Sequence, residues 1–145
     1  KDDPVFVHEV MAIQAEFAAS LAERILQEVE VDGVIFHEPI ASNHGPLISP
    51  QMYEDFVLAS YEPVLAALRR HRVETIVFRT FANSRILIPS VLKGGFNCLW
   101  ACEVNVDAMD YRDIRREFGN RDRGRPHSLR PPTPPCIRVR TRRFM

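Results

Sequence analysis

The sequence predicts an α/β protein carrying about three to four β/α units of a parallel sheet. Three short apolar runs point to it: Val34-Ile35-Phe36-His37-Glu38, Thr75-Ile76-Val77-Phe78-Arg79 and Cys98-Leu99-Trp100-Ala101-Cys102-Glu103. Each run ends in a charged residue, and each is followed by a stretch with helical character. Strands of a parallel sheet read as unbroken apolar runs because helices cover the sheet, and strand–helix alternation implies right-handed crossovers. A charge at the end of such a strand is costly unless it reaches a wet rim, so chemistry is expected at the carboxyl ends of the strands.

The elements follow in order. Residues 5–29 have the helical period, with Val7, Val10, Met11, Phe17, Ala18, Leu21 and Ile25 at three- and four-residue steps. Glu9, Glu16, Glu23 and Glu28 fall largely on the other side. Asp32-Gly33 marks the turn into the first run, and a polar loop from Pro39 to Ile48 leaves it. Ser49-Pro50 reads as an N-cap with proline at the first helical position, where a missing N–H costs nothing. Pro63 is expected to kink or break the helix that follows. Arg69, Arg70 and His71 suit its negative pole. After the second run, Thr80 to Asn83 form a loop, Ser84 to Leu92 a short helix, and Gly94-Gly95 its stop. Asp107 or Asp110 is expected to cap a last helix through Phe118. Three strands make an open sheet, not a closed barrel, and an open edge predicts pairing with another chain unless it is covered.

Composition narrows the class. The 145 residues carry no net charge, yet eight of the 19 bases and one of the 19 acids lie beyond Asn120. That leaves 11 bases and 18 acids, about −7, over residues 1–120. An acidic body is a poor nucleic-acid surface. No apolar run approaches the length of a membrane span, and three cysteines without framework spacing suit a reducing, cytoplasmic setting. Residues 120–145 are rich in proline and arginine, which removes them from any central strand or helix. They are read as a disordered tail or the product of a shifted reading frame, while residues 1–119 are expected to form the folded domain.

The stretch Glu38-Pro39-Ile40-Ala41-Ser42-Asn43-His44-Gly45-Pro46-Leu47-Ile48-Ser49-Pro50 resembles the uroporphyrinogen decarboxylase superfamily, which holds haem-pathway decarboxylases and corrinoid- or coenzyme-M-linked methyltransferases. Val31 to Phe36, Leu87-Ile88-Pro89 with Gly94-Gly95, and Glu103 before Met109-Asp110 are similar as well. The resemblance spans roughly residues 1–119. It implies part of the second half of a (β/α)8 TIM barrel. It also implies a carboxy-lyase acting on a tetrapyrrole or other polycarboxylate, with no cofactor, no nucleic acid and no membrane partner; a homodimer of the full-length parent is compatible with it. The decarboxylases' main catalytic aspartate matches no position here. The zinc methyltransferases' His-x-Cys pair falls on Arg79 and Phe81, which do not bind zinc, so no metal site is expected. A methyltransferase and a non-catalytic remnant are the alternatives.

Strand alternation then gives a geometry to test. With Glu38 facing the barrel axis, Phe36 and Val34 face it too, as do Val77 beside Arg79 and Leu99 and Ala101 beside Glu103. Glu38, Arg79 and Glu103 are expected to converge on the catalytic rim. Arg79 suits a carboxylate because its guanidinium is always charged and forked; the alternative is an ion pair with Glu38 or Glu103. Glu38 and the loop histidine His44 are the candidates for proton handling. Ser42, Thr80, Asn83 and Glu103 are candidate substrate contacts, with turn and cap duty as the competing roles for Ser42 and Asn83. Trp100 is expected on the helix-packed face, and His37 there or as a loop anchor.

Overall fold

The computed structural model describes residues 3–102 and 109–119. Helix α1 (Pro4–Glu28) starts at Asp3, whose carboxylate accepts the Phe6 amide at 3.0 Å. Its Ala15, Ala19 and Ala22 present little bulk, so α1 lies closely along α3 (Ala59–Arg70). Glu23 fastens the two helices: its carboxylate takes Arg70 Nη2 and His71 Nε2, each at 2.8 Å. The bond to His71, then that to Arg70, holds the Glu23 carboxyl below its ordinary range. By length and composition α1 is apolar enough to cross a bilayer, which corrects the expectation drawn from unbroken runs. Residues 5–22 hold two formal charges, Glu9 and Glu16, and these interruptions masked the mean hydropathy.

β1 (Gly33–Glu38) follows, then a small hairpin of β2 (Ala41–Ser42) and β3 (Gly45–Pro46) where the sequence showed only a loop. The Ser49 hydroxyl accepts the Met52 amide at 3.1 Å and opens α2 (Pro50–Met52). The chain stays helical from there to Arg70. Pro63 sits inside α3, and the irregularity falls one turn earlier, as a π-helical stretch at Tyr53–Leu58. A proline lacks the N–H for an i−4 bond and crowds the preceding turn, and a widened π turn accommodates it without a break. β4 (Thr75–Thr80) leads through a 3₁₀ turn at Arg85–Leu87 into α4 (Ile88–Lys93). Gly95, at φ +99°, supplies the left-handed turn into β5 (Cys98–Ala101). Asp110 caps α5 (Tyr111–Phe118), accepting the Arg112 amide at 2.7 Å and the Asp113 amide at 3.2 Å. Asp107, the other cap candidate, and the tail lie outside the described residues.

The sheet is parallel, in the order β1-β4-β5, and it is open. Gly33 pairs with Thr75 and so on to Glu38 with Thr80; Val77 pairs with Cys98 and Thr80 with Ala101. At the first of these pairs a Cβ on residue 33 would lie 2.7 Å from the Thr75 carbonyl oxygen, so only glycine permits the approach. Paired residues of adjacent strands share a face. Ile76, Phe78, Thr80, Leu99 and Ala101 are buried on one face beneath Val64, Leu65 and Leu68 of α3, Ile88 and Val91 of α4 and Ile114 of α5. The other face is uncovered among the described residues, with Ile35 51% and Trp100 43% exposed.

Asn97 extends the β4–β5 ladder with its side chain. Its Oδ1 accepts the Ile76 amide at 2.9 Å, its Nδ2 donates to the Glu74 carbonyl, and its own amide donates to Ile76 O at 3.1 Å. Asn97→Ala leaves the partly buried Ile76 amide unmatched and returns the exposed Glu74 carbonyl to water, so a loss of about 1–3 kcal/mol is expected in urea denaturation. An unchanged midpoint would show that water serves those groups equally well.

Candidate ligand site at the strand ends

Parity decides which charged groups meet. β4 runs one residue past the predicted Arg79 end, to Thr80, and its register pairs Arg79 with His37 and Trp100, while Glu38 pairs with Thr80. Glu38 and Arg79 therefore lie on opposite faces of the sheet, and their expected convergence is corrected. Val34, Phe36, Leu99 and Ala101 are helix-facing with Glu38. Trp100, expected among the helices, and His37, expected there or as a loop anchor, are on the uncovered face with Arg79. Glu103 lies outside the described residues.

On the uncovered face Arg79 is held by aromatic rings. Its guanidinium carbon is 4.8 Å from the Trp100 ring centroid and 5.5 Å from that of Phe81. The Phe81 ring in turn lies 5.2 Å from the His37 ring. Arg79 Nε donates to Cys102 Sγ at 3.3 Å. Each ring contact is worth about 0.5–1 kcal/mol at a partly exposed site, enough to orient the side chain without neutralising it. Among the described residues no carboxylate pairs with Arg79. Its two terminal nitrogens keep the geometry that matches a carboxylate fork. Tyr111 fixes the neighbouring strand end: its hydroxyl accepts the Ala101 amide at 2.7 Å and donates to the Ala101 carbonyl at 2.8 Å. The clamp residues Trp100, Phe81 and Cys102 were not foreseen, although Phe81 shares the parity of Arg79 and could have been read as its neighbour.

The helix-covered face is chemically different. Glu38 is 8% exposed, and its carboxyl has no hydrogen bond or ion pair among the described residues. Burial pushes its carboxyl up to about 7. The Tyr53 hydroxyl, fully buried with no partner, is raised well above its ordinary range by burial and then by the charge of Glu38. Thr80 is fully buried, and its hydroxyl donates to the Phe81 carbonyl at 3.3 Å. Neither Glu38 nor Thr80 reaches the open rim.

The remaining candidates gather in the loops. The Ser42 hydroxyl donates to Gly45 O at 2.9 Å and accepts the His44 amide at 3.3 Å, which is turn duty. Asn83 Oδ1 accepts the Arg85 amide at 3.3 Å, and the Asn83 amide donates to the Ser42 carbonyl at 3.1 Å. Ala82 takes φ +51° to make that approach, a left-handed conformation rare for a residue with a Cβ. His44 and Asn83 line an open cleft of about 600 Å³ with Arg85, Pro89, Glu117 and Phe118; Arg79 does not line it. The sequence-named residues thus fall into three places: a cation on the open face, a buried carboxyl and hydroxyl among the helices, and a polar loop cleft.

In comparisons with known proteins, no family model, no curated protein and no solved structure matches the chain.

Proposed function

We propose that the chain forms consecutive units of a (β/α)8 barrel of the uroporphyrinogen decarboxylase kind, and that Arg79 binds a carboxylate of a polycarboxylate substrate of tetrapyrrole type. The observation that carries this reading is the Arg79 guanidinium, held against the Trp100 and Phe81 rings on the uncovered face at the strand ends, with no carboxylate partner among the described residues. Parallel neighbours in unbroken sequence order, with helices on one face only, support the barrel part of the reading. The parent reaction is a carboxy-lyase step, in which a fixed cation orients the leaving carboxylate and steadies charge at the reacting centre. The acid expected beside Arg79 is on the opposite face, so we assign this chain substrate recognition rather than turnover.

Isothermal titration of the 145-residue chain with uroporphyrin, a planar octacarboxylate, tests this. Arg79→Ala is expected to weaken binding about tenfold to hundredfold, the worth of a charge-assisted hydrogen-bond pair. Arg79→Lys is expected to recover part of it, and Ser42→Ala to leave it unchanged. No heat of binding, or equal binding by Arg79→Ala, would remove the proposal.

A further inference from the structure

We infer that His37 is a second specificity contact beside Arg79, taking a further carboxylate of the same ligand, so that the site reads carboxylates in pairs. This rests on the carboxylate reading of Arg79 and states what else such a ligand must carry. Its ground is the sheet register. Arg79 stands on the middle strand and pairs with His37 on β1 and with Trp100 on β5. Adjacent strands are about 4.8 Å apart, so the three side chains form one row across the uncovered face, imidazole beside guanidinium beside indole. The imidazole and the guanidinium also meet one common ring: that of Phe81 lies 5.2 Å from the His37 ring and 5.5 Å from Arg79 Cζ. The two head groups are therefore neighbours through space as well as across the ladder.

The chemistry of this face is one-sided. Ile35 and His37 on β1, Val77 and Arg79 on β4, and Cys98 and Trp100 on β5 share it, and none is an acid. An anion approaching the row meets no like charge from the strands. His37 is exposed, and neither ring nitrogen has a hydrogen-bond partner among the described residues. Trp100, on the other flank, already gives its ring to the guanidinium. Imidazole donates an N–H in both of its protonation states, so a carboxylate oxygen finds a donor at His37 in either. A guanidinium alone grips one carboxylate through its fork and is indifferent to the rest of the ligand. A donor fixed one strand away makes a second carboxylate count. An imidazole that merely props Phe81, and through it Arg79, would instead affect every ligand equally.

Nuclear magnetic resonance titration of the full chain tests this, followed at the indole N–H of Trp100, the only tryptophan in the sequence. Benzoate supplies one carboxylate; phthalate, isophthalate and terephthalate supply two at increasing separation. At least one of these three is expected to bind about tenfold more tightly than benzoate, the worth of one charge-assisted hydrogen bond. His37→Ala and His37→Phe, the second keeping a ring against Phe81, are expected to abolish that gain and to leave benzoate binding unchanged. Arg79→Ala is expected to weaken all four acids. If benzoate binding depends on Arg79 but no dicarboxylate exceeds it, or if the gain survives both His37 substitutions, the inference is overturned while the Arg79 reading stands. Equal weakening of benzoate and dicarboxylates by His37→Ala, restored by His37→Phe, would make His37 a prop and overturn it too. So would inorganic phosphate binding as tightly as the best dicarboxylate with the same dependence on His37, the mark of a site for one anion. No binding by any of the acids, or binding indifferent to Arg79→Ala, would remove both readings.

Discussion

Glu38→Gln is expected to make the protein more stable at pH 8 by about 3 kcal/mol and to leave its stability at pH 4.5 nearly unchanged. The side chain is almost wholly buried at the end of β1, on the face covered by the helices, with no cation beside it. Burial lifts its carboxyl from the ordinary 4.5 to about 7. Below pH 4.5 the group is neutral in both the folded and the unfolded chain and contributes nothing to the pH dependence. Between 4.5 and 7 the unfolded chain has released the proton and the folded chain retains it, so stability falls as pH rises. Above 7 both states are ionised and the loss is complete. Gln cannot ionise, so its profile across that window should be flat where the wild type slopes. Urea midpoints measured from pH 4.5 to pH 8 would show the two curves separating upward from acid. Parallel curves would mean that Glu38 reaches water, and the assignment of its face would fall with them.

Phe78→Ala is expected to cost about 3–5 kcal/mol. The ring is fully buried on the middle strand and meets Phe96 edge-on at 5.9 Å and Tyr53 at 6.5 Å between centroids. Phe96 in turn touches Phe36 at 5.0 Å and Tyr61 at 6.2 Å, so the aromatic cluster links β1, β4 and α3 through one side chain. Truncation removes the ring's transfer energy and leaves a void that rigid neighbours do not fill. Against a domain stability of roughly 5–15 kcal/mol, that loss is about a third to a half of the total at the middle of the range, read as a fall in the urea midpoint. A loss under about 1 kcal/mol would mean that the helices do not close over this face of the sheet.

The three principal strands were legible because apolar runs of that length admit few other readings, and so were the caps at Ser49 and Asp110 and the stop at Gly94-Gly95. The faces were not legible. In Val34-Ile35-Phe36 and Ile76-Val77-Phe78 both parities are apolar, so a period of two has no contrast to reveal it. The side had to be taken from the terminal charges, with Glu38 and Arg79 treated as equivalent ends. β4 extends one residue further, to Thr80, and one residue of register exchanges the faces. The roles of Ser42 and Asn83 as turn and cap residues came from local chemistry and proved the more dependable guide. The short hairpin, two residues per strand, is below the length at which alternation says anything.

The bond from the Asn83 amide to the Ser42 carbonyl uses no side-chain atom at either end. The two loops it ties, one from each of two successive units, are thus held by the peptide backbone, as is the return from Ile40 to Leu47, where the Leu47 amide reaches the Ile40 carbonyl at 2.9 Å. What the rim displays at positions 43 and 44 can consequently be rewritten by mutation without altering its outline. Such a decoupling of lettering from shape lets selection try new surfaces on an old frame.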